Sequence, residues 1–285
     1  PHTQLMEAAR RYLKAGFLLA RGDTSAARDL FRRALELRTP LLPIDHLHLM
    51  RNRLMLARTE FLLKNYAASE QILREEIEIR EQSPNVSDAE LAVACSFLAE
   101  QYYLNGRLSE AEAVYERTLE LRRATRPAGH RSLGEMANRL AVIKSARGAF
   151  KESDSLFREA LSSLEQVCGE EHPEVARVLN DLAESLFAQN KVEPARRLLE
   201  KALHIQEKSL LSKDSRLSRT RCNLASVYVT RGRFAEAVRL YERDLADRQS
   251  QQVPDKALLA TSLNNLAEAL RSLGRNAEAE QRLEH

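Results

Sequence analysis

The chain has 285 residues, 44 % apolar and 30 % charged, with nine Gly, eight Pro and no Trp, a composition that favours helix over strand. Its 44 basic and 41 acidic side chains leave a net charge of +3, too even for an electrostatic footprint on nucleic acid. No apolar run of about 18 residues exists to cross a membrane.

The chain order of elements is set by a 42-residue period anchored on Gly22, Lys64, Gly106, Gly148, Asn190, Gly232 and Gly274. Six of these seven are Gly or Asn, residues that accept a left-handed backbone at a helix C-terminus. In repeat 1, a first helix carrying Ala15 runs to Gly22, and a second carries Ala27, Phe31 and Leu35 before Pro40 and Pro43. Repeat 2 places Ala57, Ser69 and Ile77 around Lys64, and Pro84 follows. Repeat 3 places Ala99, Ala111, Tyr115 and Leu119 around Gly106, then Pro127. Repeat 4 has Ala141, Ser153, Phe157 and Leu161 around Gly148, and Pro173 follows. Repeat 5 has Ala183, Ala195, Leu199 and Leu203 around Asn190, with Pro194 in a first helical turn where its missing N–H costs little. Repeat 6 repeats the pattern with Ala225, Ala237, Tyr241 and Leu245, then Pro254. Repeat 7 has Ala267 and Ala279 and stops early in its second helix.

The columns have a physical reading. Small residues seven before and five after each anchor permit two helices to cross closely. Large residues nine after it fill the space beside the crossing. A single hairpin cannot bury its apolar face alone, so such hairpins stack and share a core. The array is expected to span 1–282. Leu283, Glu284 and His285 read as a vector scar before a histidine tag, and the missing initial Met suggests an excised fragment.

This pattern resembles the tetratricopeptide repeat. The 42-residue period, and the stretch GEEHPEVARVLNDLAESL from Gly169 to Leu186, resemble the long-helix repeats of kinesin light chain. The resemblance implies an all-α fold, a right-handed superhelical α-solenoid of antiparallel helix pairs. It also implies a scaffold or adaptor that binds a peptide or partner protein in a concave groove lined by first helices.

By the same resemblance, positions 13, 10, 6 and 3 before each anchor face that groove. Asn138, Asn180 and Asn264 then share one column, and matching asparagines in kinesin light chain grip the backbone of a cargo peptide. Arg177 and Arg219 would read acidic side chains. Glu184, Arg51 and Arg58 complete the candidate set. Repeats 1 to 3 are more apolar there (Tyr12, Leu54, Phe61, Tyr103) and lack the Asn column. The groove has Arg but no Lys, unlike repeats that clamp a chaperone's terminal carboxylate.

Catalytic and metal signals are missing. The glycines are isolated, and no HExxH or GxSxG occurs. His46, His130 and His172 share a column that lies before first helices and also contains Asp88 and Asp214, so they read as helix-entry residues. Equivalent atoms in neighbouring repeats should stand roughly 16–20 Å apart, too far to share one metal. No cofactor is expected, and an enzyme is not. Cys95, Cys168 and Cys222 are widely spaced and odd in number, which fits free thiols in a reducing, cytoplasmic setting. Alternative readings are a regulatory or sensor segment of a larger signalling enzyme, and a peptide-pheromone receptor. The shortened seventh repeat predicts lost cover over Leu263, Leu266 and Leu270, with self-association or fraying at that end.

Overall fold

The structure is a computed structural model that describes residues 2–84, 86–125, 130–209, 214–250 and 256–283. Pro127, Pro254, Glu284 and His285 lie outside the described residues. Among the described residues there are fourteen helices and no strand. They are α1 (His2–Ala20), α2 (Thr24–Arg38), α3 (Leu47–Leu62), α4 (Tyr66–Gln82), α5 (Asp88–Leu104), α6 (Leu108–Thr125) and α7 (Arg131–Ala146). Then come α8 (Phe150–Cys168), α9 (Pro173–Ala188), α10 (Val192–Ser209), α11 (Ser215–Thr230), α12 (Phe234–Gln249), α13 (Lys256–Ser272) and α14 (Asn276–Leu283).

The chain divides into two compact units, Pro1–Ala128 and Gly129–His285. In the first, α1–α2, α3–α4 and α5–α6 pair as hairpins, α2 packs on α3, and α4 packs on α5. In the second, the hairpins are α7–α8, α9–α10, α11–α12 and α13–α14, and each second helix packs on the next first helix. First helices also touch directly: α3 with α5, α7 with α9, and α9 with α11. This is the nearest-neighbour packing of a repeat solenoid.

All seven anchors have positive φ, from 61° at Asn190 to 85° at Gly22. Lys64, the odd letter in the column, adopts the same conformation at 64°. The seven alanines before the anchors are buried, as are Ala27, Ser69, Ala111, Ser153, Ala195, Ala237 and Ala279 after them. Where that second column is Ser, the hydroxyl bridges the crossing. Ser69 Oγ donates to the Ala57 carbonyl at 2.6 Å, and Ser153 Oγ to the Ala141 carbonyl at 2.8 Å. Phe31, Leu73, Tyr115, Phe157, Leu199 and Tyr241 fill the core beside each crossing.

In the column thirteen after the anchors Leu119 and Leu245 are buried while Leu35, Leu161 and Leu203 are half-buried; a fully buried column lies one residue earlier, at Ala34, Glu76, Thr118, Ala160, Ala202 and Asp244. Two expectations are corrected. Pro173 is the first residue of α9 rather than a loop residue, a position where a helix needs no N–H from it. Leu266 and Leu270 stay buried, packed with Ala279 of the short α14 and with α12, and Leu263 is half-buried.

The outer face of α1 differs from its equivalents. Leu49, Asn52, Leu56 and Thr59 of α3 form a buried stripe, as do Leu217, Thr220, Leu224 and Val227 of α11. The same positions of α1 hold Glu7, Arg10, Lys14 and Phe17. Arg10, Lys14 and Phe17 are exposed. Charge replaces Leu where no preceding hairpin packs among the described residues.

Candidate functional site

The histidine column resolves first. His46, His130 and His172 each precede a first helix, and each ring Nδ1 accepts the backbone N–H two residues on, at 3.1–3.2 Å. Asp214 caps α11 in the same way. In repeat 3 the cap is Ser87, in a capping box with Glu90, and Asp88 is already inside α5. A free Nδ1 lone pair does the work of an Asp oxygen here.

The Asn column has a structural role that its register explains. Asn138 and Asn180 are 1 % and 2 % exposed. Asn138 Nδ2 donates to Asp181 Oδ2 at 2.7 Å, and Asn180 Oδ1 accepts from Asn223 Nδ2 at 3.1 Å. Both links span 43 residues, one repeat plus one, so each ties a first helix to the next. Asn180 also donates to Glu184 at 3.0 Å. Asn138 Oδ1 is buried with no hydrogen-bond partner. Asn264 of α13 is exposed.

The arginines expected to read an acidic ligand are paired with the chain's own acids. Arg219 donates to Asp181 at 2.6 Å and to Glu184 at 3.0 Å. Arg177 donates to Glu174 at 3.0 Å and lies 3.7 Å from Asp181. Burial works against the Arg219 charge, but Asp181 and Glu184 outweigh it and hold the guanidinium more basic than usual. Burial alone would raise the Glu174 carboxyl; the charge and hydrogen bond of Arg177, with Arg131 and Arg216 nearby, hold it below its ordinary value. So α7, α9 and α11 carry one connected network, and Asn138, Arg177, Asn180, Glu184 and Arg219 all belong to it.

Sequence reasoning missed Asp181, Glu174 and Asn223. Asp181 and Asn223 stand one position after the Asn column in consecutive repeats, and the offset of one repeat plus one would have found them.

Arg51 and Arg58 are in the other unit, both exposed on α3, with no ion pair or hydrogen bond among the described residues. Arg58 edges a cavity of about 400 Å³ between α3 and α5, walled by Phe61, Leu62, Phe97 and Leu104. Leu62 is 52 % and Leu104 59 % exposed, so the cleft is open and apolar.

The anchors, the small-residue crossings and the stacked hairpins together define the repeat, and the tetratricopeptide-repeat profile matches residues 89–166, 132–208 and 211–285. The chain belongs to the tetratricopeptide repeat family. No curated protein matches it. Among solved structures, BtubC (BKLC) from P. vanneervenii is 22 % identical, with 90 % of this chain and 95 % of that chain covered, at a TM-score of 0.66. A putative kinesin light chain from Podosopora anserina, with nearly identical TPR-like repeats, is 27 % identical over 69 % of this chain and 93 % of that one, at 0.59. The Signal Transduction ATPase with Numerous Domains (STAND) protein PH0952 from Pyrococcus horikoshii, with a tetratricopeptide repeat sensor, is 17 % identical over 96 % of this chain and 40 % of that one, at 0.75. The repeats of this tetratricopeptide protein are therefore of the kinesin-light-chain-like kind. No described helix is long and apolar enough to cross a membrane.

Proposed function

We propose that the chain is a non-catalytic binding module whose first-helix face holds an extended, acidic segment of a partner protein. The observation that carries this reading is the pair Arg51 and Arg58. On these helices Arg53 meets an acid of the chain, Glu76, and Arg219 meets another, Asp181. Arg51 and Arg58 do not. Their seven-residue spacing is two helical turns, about 10 Å. An extended chain covers that in about three residues. The ligand is therefore a segment with two acidic side chains about three residues apart. An apolar side chain beside them would enter the cleft of Phe61, Leu62, Phe97 and Leu104.

The original set divides under this reading. Arg51 and Arg58 bind. In the C-terminal unit, exposed Glu184, Arg219 and Asn264 are the groups a segment would meet. Asn138, Arg177 and Asn180 brace Glu184 and Arg219 directly or through Asp181. The test is a peptide array followed by calorimetry on wild type and on R51E/R58E. Acidic peptides that bind wild type and are lost in the double variant, with an unchanged thermal midpoint, support it. Equal binding by the double variant overturns it.

A second reading is a sensor segment of a larger signalling ATPase. Its support is the likeness to PH0952, in which nearly the whole chain is matched while less than half of that protein is. The sequence of the full-length gene product separates the two: a fused nucleotide-binding domain favours the second.

A further inference from the structure

The C-terminal unit holds a second polar feature, which borders the network at Arg219 and Asn223. A cavity of about 470 Å³ opens between α11, α12 and α13. Its floor is Asp244, fully buried in a column that holds Ala34, Glu76, Thr118, Ala160 and Ala202 in the other repeats. A carboxylate there is costly unless it is well supplied with donors. Asp244 has four. Ser218 donates to one oxygen; Ser262 at 2.8 Å, Arg248 at 2.7 Å and the Cys222 thiol at 3.6 Å donate to the other. Burial and the Asp244 charge push the Cys222 thiol up to about 12, so it stays a protonated donor.

The charges on the cavity wall are unevenly available. Arg248 is committed to Asp244, and Arg219 to Asp181 and Glu184. Asp247 gives one oxygen to Arg221 at 2.6 Å, and its other oxygen has no partner among the described residues. The half-buried Asn265 amide has none either. The acceptors left over thus include a carboxylate oxygen, the only charged one, and the Asn265 amide oxygen, with Leu258 as an apolar edge.

We propose that this cavity receives a basic side chain, an Arg guanidinium or a Lys ammonium. The charged head donates to Asp247 Oδ1 and the Asn265 carbonyl oxygen, and the aliphatic stem lies along Leu258. An acidic side chain would face Asp244 and Asp247 with no uncommitted cation to meet it. The inference rests on the peptide-binding reading for the source of that side chain, here a partner segment lying on the C-terminal unit.

The experiment is a titration of isotope-labelled protein, followed by backbone amide shifts. The probes are N-acetyl-arginine amide, N-acetyl-lysine amide, N-acetyl-glutamate amide and N-acetyl-norleucine amide. The basic probes are expected to give saturable shifts around Asp247, Leu258 and Asn265. Apparent affinity should fall roughly tenfold in D247N, the loss of one charge-assisted hydrogen bond. N265A disturbs no ion pair and should weaken the same titration, which guards against D247N acting only by loosening Arg221. Equal shifts from the glutamate or norleucine probes, or unchanged arginine titrations in both variants, overturn the proposal. These probes need no peptide groove. A basic-probe site without any array binder would overturn the groove reading alone, and array binders without a basic-probe site would overturn this one alone.

Discussion

Two glycines show how position decides the sign of a substitution. Glycine inside a helix costs about 1 kcal/mol relative to alanine. A Cβ built on Gly16 of α1 meets nothing within 4 Å, so Gly16→Ala should stabilise by roughly 0.5–1 kcal/mol. A Cβ on Gly134 of α7 would lie 2.7 Å from Leu164 Cγ and 3.0 Å from the Ala160 carbonyl. Gly134→Ala should therefore lower the thermal midpoint, because α8 must move away. Melting both variants by circular dichroism checks the pair; a rise in both would mean that α7 and α8 are not in such close contact. Protonation acts at the same scale. Hydrogen bonds from Arg196 hold the Glu193 carboxylate at about 2, against 4.5 for the free group. A depressed carboxylate stabilises the fold fully above 4.5 and loses that contribution as pH falls towards 2. Glu193→Gln should melt lower than wild type at neutral pH, and its midpoint should fall less steeply between pH 4.5 and 2. Identical pH profiles would show that the pair contributes nothing. Individual residues were the least legible part of the sequence. The anchor and crossing columns follow from local sterics and could be read. Asp181 is meaningful only through a partner one repeat plus one away, an offset that must be looked for, and Asp244 through partners such as Ser262, 18 residues away, which the 42-residue period does not display.

At the level of the helix, the shortened last hairpin behaves differently from a simple loss of cover. Its α14 has eight residues, against sixteen for α12, and Ala279 is its one buried residue. Yet α13 keeps Leu266, Ala267, Ala269 and Leu270 buried, because α12 packs on α13 as well as the short α14. Local stability follows the apolar contacts that an opening must break. Amide exchange should therefore be fast through α14, intermediate in α13 and slowest in α9 and α10. Protection in α14 equal to that in α9 would point to a second copy covering this end; light scattering would then show a dimer. Helix existence and pairing were readable because the 42-residue period repeats one hairpin seven times. The cover over the last leucines was not, since it depends on how α12 and α13 meet, and that contact lies between repeats rather than inside one.

For the whole molecule, the two compact units bear on folding and on binding. Repeat stability is close to a sum of hairpin and nearest-neighbour terms. The C-terminal unit has its own continuous core from Ala183 to Ala279. A fragment spanning α7 to α14 should thus give a helical spectrum and a cooperative melt, and a broad, non-cooperative melt would refute this. Binding depends on where free charge remains. The chain is nearly neutral, with 44 basic and 41 acidic side chains, so long-range steering of a partner is weak. What remains is local, at Arg51 and Arg58, which are exposed and unpaired among the described residues. Screening shortens the reach of such charges from about 10 Å at 0.1 M salt to about 3 Å at 1 M. An acidic segment held there should lose affinity steadily with added salt in wild type. In R51Q/R58Q, which removes the charge without reversing it, the remaining, apolar contribution should hardly respond to salt. Calorimetry at several ionic strengths reads both slopes. Equal slopes in the two proteins would move the acidic contact off α3, and the next cation would be Arg271 of α13, exposed and without an ion pair among the described residues, since Arg219 would first have to leave Asp181.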